Sequence, residues 1–363
     1  MSPAEELLGE LIALDTRNPG GDEPRAARRL AEHLAGFAPD RLECVLVPRP
    51  ADRPGAGAFV YAEWGHPATL INVHLDTVPA NAGWSSDPLV PRRQGRRLYG
   101  LGAADTKGAI AALLAALARR RPRNLAVLFS GDEERGGSCL RAWLASGLRP
   151  ASLVRAVVCE PTGLAVGTRH RGILAFDAIV RGPGGHSSAA DHLQKPLVIL
   201  ARLALALDAL AAHALERPDA TFPGLCVNVA ALSGGVAFNV VPAEARLVFS
   251  LRPAPGTDMA DLVGAVQALT HAVDPAIELV QTVDHHPFAT RDLGAFTALL
   301  GARTATPQAL PFWTEACLLA EGGLDAVVFG PGDIAQAHAP DEHVALSDLE
   351  GAEDAFVGLL GAL

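Results

Sequence analysis

Cysteine is scarce in this chain, and the copies present follow no regular spacing. Five occur among the 363 residues, Cys44, Cys139, Cys159, Cys226 and Cys317, and none forms a CxxC pair. An odd, scattered set argues against a disulfide framework and a thiolate zinc site, and it fits a reducing compartment. The first residues also lack the basic and apolar segments of a signal peptide, so we expect a cytoplasmic protein.

The chain also has few positively charged residues and few long apolar runs. Lys and Arg total 30 against 40 Asp and Glu, so the formal net charge is −10. A chain with that charge does not attract phosphate backbones, which argues against nucleic acid as a partner. The most apolar long stretch, residues 196–215, contains Arg202, Asp208 and His213. We interpret it as a largely buried helix that is too polar for a membrane span.

What the chain does have is material for a large core and an alternating pattern of elements. Hydrophobic residues make up 49% of it, and its length favours two domains. The apolar periodicity predicts helices and strands in alternation, which indicates an α/β layer with a mostly parallel sheet. The predicted helices are 3–14, 24–36 and 107–120, and the predicted strands are 70–76, 125–130, 154–159 and 326–329.

A different unit interrupts this pattern after residue 168. Residues 173–180 alternate like a half-exposed strand, and a helix from 196, strands at 225–232 and 243–252, a helix at 258–272 and a strand at 277–283 follow. This β-α-β-β-α-β order is typical of a compact unit of its own. We therefore predict one domain formed by residues 1–168 and 284–363, with residues 169–283 inserted into it.

Polar side chains follow several of the predicted buried strands. His74 and Asp76 stand two residues apart at the end of one strand, so both can point into the same site. Glu160 follows another strand directly, and ligands of open α/β folds gather at the carboxyl ends of strands. Taken alone, His74 and Asp76 fit a plain polar turn equally well.

Three further motifs have an ordinary structural alternative as well. Asp105 follows a Gly-Leu-Gly loop and precedes a helix, where it could simply be an N-cap. Glu133 and Glu134 directly follow a strand, although such acidic runs are commonly solvated turns. A lone loop histidine such as His338 is more often structural than a ligand. Together, however, two imidazoles and several carboxylates at strand ends suit Zn²⁺, and bridging carboxylates suit a pair of ions.

Taken in order, these motifs resemble peptidase family M20, a family of metallopeptidases and amino-acid deacylases. No single piece is specific, but their order and separation fit along nearly the whole chain. The matching stretches are His74-Leu75-Asp76, Gly102-Ala103-Ala104-Asp105-Thr106-Lys107-Gly108, Asp132-Glu133-Glu134, Glu160-Pro161-Thr162, Gly185-His186-Ser187-Ser188 and Gln336-Ala337-His338. The resemblance implies a zinc-peptidase-like catalytic domain with an inserted α+β, ferredoxin-like lid and dimerisation domain.

The resemblance also implies a ligand set for two divalent ions, Zn²⁺ or alternatively Co²⁺ or Mn²⁺. His74 and Glu160 would hold one ion, Glu134 and His338 would hold the other, and Asp105 would bridge both. The family has a cis peptide after this aspartate, which implies one between Asp105 and Thr106.

Catalytic roles follow from the resemblance for three more residues. Asp76 would orient the His74 ring from outside the ligand shell. Glu133 would be the general base that moves a proton from water to the leaving amine. His186 would reach from the inserted domain into the active site of the partner in a homodimer and stabilise the oxyanion.

Substrate contacts and the reaction are implied by the resemblance to the acetylornithine deacetylase branch and its acetylcitrulline-deacetylase relatives. Arg171, Asn239 and Arg252 match lid positions that grip the substrate carboxylate, and Thr314 and Glu315 belong to the same branch motif. The expected reaction is hydrolysis of the acetyl amide of N2-acetyl-L-ornithine or N-acetyl-L-citrulline in arginine biosynthesis. The alternatives are succinyl-diaminopimelate desuccinylase, a dipeptidase, or a catalytically silent, metal-stabilised binding protein.

Overall fold

The chain forms two units, seen in a computed structural model that describes residues 1–49, 55–214 and 221–363. Unit 1 comprises residues 1–168, 289–309 and 314–363, and unit 2 comprises residues 169–288 and 310–313. The helices are α1 (Pro3–Ile12), α2 (Glu23–Ala35), α3 (Lys107–Arg119), α4 (Ser138–Ala145), α5 (Pro196–Ala214), α6 (Met259–Val273), α7 (Gly294–Leu300), α8 (Ala316–Glu321) and α9 (Leu346–Ala362). The strands are β1 (Arg41–Pro48), β2 (Ala56–Trp64), β3 (Thr69–His74), β4 (Arg92–Gln94), β5 (Arg97–Tyr99), β6 (Leu125–Ser130), β7 (Arg155–Cys159), β8 (Gly167–His170), β9 (Ile173–Arg181), β10 (Gly185–His186), β11 (Cys226–Gly234), β12 (Val240–Val241), β13 (Glu244–Arg252), β14 (Glu278–His285), β15 (Phe288–Ala289), β16 (Gln308–Leu310), β17 (Asp325–Val328) and β18 (His343–Ala345).

Unit 1 is built around a mixed sheet whose strands run in the order β1-β2-β6-β3-β7-β17-β8. The four central strands β6, β3, β7 and β17 are parallel to one another. Strands β1 and β2 extend the sheet antiparallel on one side, and β8 pairs antiparallel with β17 on the other. Every residue of β3 and β6 is buried, which explains why these strands have continuous apolar runs rather than alternating ones.

Helices complete the core of unit 1. Side chains of α1, α2, α3 and α9 share one apolar cluster with the central strands, as Leu8, Leu113 and Phe356 illustrate. Helix α3 is buried from Lys107 to Leu117, because its small alanines allow neighbouring elements to approach closely. The mostly parallel α/β architecture predicted for this part of the chain is confirmed.

Unit 2 has a separate antiparallel sheet with the strand order β11-β13-β9-β14. Along the chain its main elements follow as β9, α5, β11, β13, α6 and β14, the ferredoxin-like β-α-β-β-α-β arrangement. Burial alternates along β9, and Phe176 stacks on Phe249 with ring centroids 5.2 Å apart. Unit 2 contains residues 169–288 and 310–313, and β14 extends to His285, two residues past the predicted end of the insertion. Assignment of this unit as a lid and dimerisation domain stays a prediction.

Helix α5 differs from its sequence interpretation. Over Pro196–His213 it is long and apolar enough to span a membrane by length and composition, and 28% of those residues are buried. The buried residues follow the i, i+4 spacing of one helical face, which packs in the core of unit 2 through Ile199, Leu203 and Leu207. The prediction of a largely buried helix that is too polar for a membrane span was therefore wrong on both points: α5 is a core helix, apolar on both faces, that buries one face only, and Leu205 on its other face is 72% exposed.

Candidate metal centre

The parallel strands of unit 1 bring the predicted ligands to one edge of the sheet. His74 is the last residue of β3, and Glu160 directly follows β7. Glu134 lies in the helical turn after β6, and His338 lies in the loop after β17. Because β3, β6, β7 and β17 are parallel neighbours, their carboxyl ends meet and their following loops converge.

Two groups of potential ligands share Asp105. In the first, His74 Nε2 lies 2.9 Å from Asp105 Oδ1 and 4.0 Å from Glu160 Oε1. In the second, His338 Nε2 lies 3.4 Å from Asp105 Oδ2 and 3.1 Å from Glu134 Oε1. Each histidine thus faces a different oxygen of Asp105, as a bridging carboxylate requires. The ligand atoms within a group lie within 4.8 Å of one another, close enough to share one ion with ligand bonds of about 2.0–2.2 Å, the length typical of Zn²⁺ with nitrogen and oxygen.

The electrostatics of the cluster also fit cations. Burial raises the pKa of Glu133 and of Glu160 well above the usual range, and neighbouring carboxylates add to the rise although His74 opposes it. Burial likewise raises the pKa of Glu134. Such crowding of buried carboxylates is costly without compensating positive charge. Nitrogen and oxygen donors in this mixture match divalent zinc.

Within the two ligand groups, the positive charge that can offset the carboxylates comes from the two histidines. Hydrogen bonds with Asp105 and Glu134 raise the pKa of His338 to about 10. Burial alone would lower the pKa of His74, but the hydrogen bond with Asp105 and the nearby Asp76 carboxylate outweigh it and leave this pKa well above its usual value. Metal binding requires both rings to be neutral, so it would release their protons.

A glutamate that sequence reasoning missed holds the Asp105 loop. Glu342 is 1% exposed; its Oε1 accepts hydrogen bonds from Ala104 N and Asp105 N at 2.9 and 3.0 Å, and its Oε2 accepts one from Gly102 N at 2.9 Å. The Asp105–Thr106 peptide bond is cis, as the resemblance implied. An acidic residue four positions after His338 was the one local signal in the sequence, and it does not reveal this long-range contact.

Asp76 contacts both the His74 ring and the acidic turn. The group within hydrogen-bond distance of the His74 ring is the backbone carbonyl of Asp76, 3.0 Å from Nδ1, whereas its carboxylate oxygen lies 3.6 Å away. The carboxylate accepts hydrogen bonds from Glu133 N at 3.1 Å and Glu134 N at 3.3 Å. Asp76 therefore positions the acidic turn as well as the ring.

Glu133 stands beside the two ligand groups without belonging to either. Its backbone is held by Asp76, and its side chain is only partly buried. Within the described ranges, no side-chain hydrogen bond engages its carboxylate. A carboxylate that lies close to the ligands and makes no side-chain hydrogen bond of its own is available to take up a proton.

Two predicted substrate residues of unit 2, Arg171 and Arg252, differ in the hydrogen bonds that their side chains make within the protein. The Arg171 guanidinium donates to the carbonyls of Gly224 and Arg252 at 2.8 Å each and to that of Pro223 at 3.2 Å. That engagement indicates a structural role for Arg171. The Arg252 side chain is partly buried, burial lowers its pKa, and no carboxylate pairs with it in the described part of the chain.

Asn239 and His186 lie on a short ladder of unit 2. Gly185 and His186 pair with Val241 and Val240, and Ser187 N donates to Asn239 O at 3.0 Å. His186 is exposed, and its Nδ1 lies 2.8 Å from Ser188 Oγ. Exposure leaves the imidazole accessible, and its role in a partner's site stays a prediction.

Two of the expected substrate contacts are buried instead. Thr314 and Glu315, both in unit 1, are 0% and 1% exposed. Glu315 Oε2 accepts a hydrogen bond from Ser130 Oγ at 2.6 Å, and burial raises the pKa of Glu315 to about 7. Glu315 thus supports the end of β6 from inside the protein, and a substrate contact for Thr314 or Glu315 stays a prediction.

Comparison with known proteins gives one consistent result. Residues 70–362 match the model of peptidase family M20/M25/M40. An N-acetyl-L-citrulline deacetylase from Xanthomonas campestris pv. campestris is 36% identical over 370 aligned positions, covering 95% of this chain and 94% of the relative. An acetylornithine deacetylase from Myxococcus xanthus is 34% identical, covering 94% and 92%. The fold is similar to that of an M20 family metallo-carboxypeptidase from Sulfolobus solfataricus, with a TM-score of 0.81, 19% identity and 99% of each chain covered.

Proposed function

The chain belongs to peptidase family M20/M25/M40, and from that premise we propose that this metal-dependent hydrolase deacetylates N-acetyl-L-citrulline or N2-acetyl-L-ornithine. The observation that carries the proposal is the shared Asp105, which joins two ligand groups at one sheet edge. Relatives of both activities align over more than nine-tenths of the chain, which supports an acetylated amino acid as the substrate class. Both reactions would serve arginine biosynthesis and release acetate.

Each part of the site has a task in this reaction. His74 and Glu160 would hold one divalent ion, Glu134 and His338 the second, and Asp105 both. Bound there, the ions supply Lewis-acid polarisation of the amide carbonyl and activation of water near neutral pH. We assign Zn²⁺ as the metal, with Co²⁺ or Mn²⁺ as the alternatives that this donor set accepts.

Glu133 moves the proton. Its uncommitted carboxylate takes a proton from the attacking water and returns it to the leaving amine nitrogen, since a free amine is a far better leaving group than its anion. The Asp76 carboxylate keeps Glu133 in place through the Glu133 backbone N–H. His186, supplied by the partner in a homodimer, would stabilise the negative charge that develops on the carbonyl oxygen.

Unit 2 would recognise the carboxylate of the amino acid. Arg252 is partly buried and has no carboxylate partner within the described residues, whereas Arg171 is committed to three backbone carbonyls. Of these two arginines, only Arg252 has a guanidinium available, which suits a substrate with one carboxylate at the amino-acid end. A succinyl group would bring a second carboxylate and require a further basic residue, which favours deacetylation over desuccinylation.

The test is a set of initial rates on N-acetylcitrulline, N2-acetylornithine and N-succinyl-diaminopimelate, with Zn²⁺ or Co²⁺ added. We expect kcat/KM to be highest for one of the two acetyl amino acids, and the Glu133→Gln variant to control for contaminating activity. A preference for the succinyl substrate would reject the proposed substrate class. Absence of hydrolysis of any amide by metal-loaded protein would reject the enzymatic function.

A further inference from the structure

The turn that carries Glu133 and Glu134 begins in an unfavourable backbone conformation. Asp132 has φ of 62°, in the left-handed region, which costs most residues other than glycine about 1–2 kcal/mol and aspartate somewhat less. Such conformations persist when surrounding contacts hold them. The contacts around Asp132 therefore determine where the two glutamates point.

Two buried carboxylates hold this turn. Asp76 accepts from the backbone of Glu133 and Glu134, as described above. Asp132 accepts a hydrogen bond from Ser138 Oγ at the start of α4. Asp76 and Asp132 are both 0% exposed, so their negative charges cannot be screened by solvent.

A single amide joins the two carboxylates. Asn18 Nδ2 donates to Asp76 Oδ2 at 3.0 Å and to Asp132 Oδ1 at 2.9 Å. Asn18 is 1% exposed, and its Oδ1 accepts no hydrogen bond within the described segments. A reversed amide would place that oxygen against both carboxylates, so the network itself selects the orientation that donates.

Nearby charges support the same arrangement. Arg49, with a side chain 2% exposed, forms an ion pair with Glu23, and its Nε lies 3.7 Å from Asp132 Oδ1. The backbone of Asn18 is anchored as well, because its N donates to Thr77 O at 2.7 Å. Asn18, Glu23 and Arg49 all precede residue 70, where the match to the family model begins.

We propose that Asn18 is a positioning residue for the reaction: its amide ties Asp76 to Asp132 and thereby holds the Glu133 carboxylate at the reacting water. The inference rests on the proposed function insofar as Glu133 is the base. Asn18 is buried and its amide faces Asp76 and Asp132, so its removal should lower kcat and leave KM nearly unchanged.

The experiment combines Asn18→Ala with Glu133→Gln. At saturating metal, Asn18→Ala lowers kcat by about 10- to 100-fold, the range for residues that support a metal site from outside its ligands. In the Glu133→Gln background the same change has a much smaller effect, since the base that Asn18 places is already gone. Asn124→Ala is the matched control, because the Asn124 amide donates to Leu363 O at 3.1 Å on the exposed surface.

Several outcomes would overturn the proposal. They are an equal fold-loss from Asn18→Ala in both backgrounds, a loss confined to KM, or no loss. If Asn18→Ala does not fold, Asn18→Ser, whose one hydroxyl hydrogen serves only one carboxylate, takes its place in the same cycle under the same criteria. Wild-type activity in Glu133→Gln alone would instead refute the assignment of the base, which separates the two failures.

Discussion

Replacing Glu133 by glutamine separates proton transfer from metal binding. The change keeps the size of the side chain and removes its basic oxygen. Loss of a general base costs about 10²–10⁴ in rate, which corresponds to about 3–5 kcal/mol of transition-state stabilisation. Glu133 belongs to neither ligand group, so the variant should still bind about two ions per chain.

The structure also predicts the effect of this variant on stability. Burial raises the pKa of Glu133 well above its usual range, and the carboxylates of Glu160, Glu134 and Glu315 contribute to the rise. A neutral amide removes that repulsion. Metal-free Glu133→Gln should therefore melt at a temperature no lower than the metal-free wild type, although its activity is nearly abolished.

The matched control is Glu134→Gln, the same chemical change one residue later. Glu134 Oε1 lies 3.1 Å from His338 Nε2 in the second ligand group, so this variant should lose metal along with activity. Metal content measured by mass spectrometry, kcat from initial rates and thermal melting complete the comparison. The reasoning is refuted if Glu133→Gln loses metal while Glu134→Gln keeps it, because the two roles are then exchanged.

Four further predictions concern metal, substrate, pH and assembly. Chelation should abolish activity and added Zn²⁺ or Co²⁺ should restore it; full activity in metal-free protein would contradict the dinuclear site. Arg252→Ala should weaken kcat/KM for acyl amino acids far more than for their amides, and equal losses would mark Arg252 as structural. Burial raises the pKa of Glu315 to about 7, above the ordinary glutamate value of about 4.3. The contribution of protonated Glu315 to folding stability is therefore fully present below about pH 4.3 and is lost as the pH rises through 7. Glu315→Gln with its metal removed should therefore gain stability relative to metal-free wild type as the pH rises through that interval, by up to about 4 kcal/mol. Denaturant titrations at pH 4 and pH 8 measure the gain, and a difference independent of pH would contradict the prediction. Inactive Glu133→Gln and His186→Ala homodimers, mixed equally with verified subunit exchange, should recover about a quarter of wild-type activity, whereas no recovery would place His186 in its own subunit's site.

The parts of the fold that could be predicted from the sequence are those with strong local patterns. Continuous apolar runs predicted β3, β6 and β7, and the alternation at 173–180 predicted β9. The candidate ligands were visible because a polar residue stands at the carboxyl end of these buried parallel strands: His74 ends β3, and Glu160 directly follows β7. Burial along α5 was misjudged, since its apolar residues cover both faces of the helix and only one face meets the core.

The supporting contacts of the site were not visible, because they join residues distant in the sequence. Glu342 meets the Asp105 loop across 237 positions, and Asn18 meets Asp132 across 114. Local periodicity carries no information about such pairs. Burial of Glu315 was missed for a related reason: a carboxylate in a motif suggests a ligand or a substrate contact, and only the packing shows that it is enclosed.

The position of β17 has a consequence for how the protein forms during translation. This strand, Asp325–Val328, pairs on one side with β7 and on the other with Gly167 of β8. When the first 168 residues have left the ribosome, the side of β7 that later pairs with β17 is therefore an unpaired edge. It remains unpaired until more than 150 further residues have been synthesised. The inserted unit can fold meanwhile, because its core draws on residues 174–279. Nascent chains that stall before residue 325 would expose the apolar edge of β7, which makes them candidates for aggregation or chaperone binding.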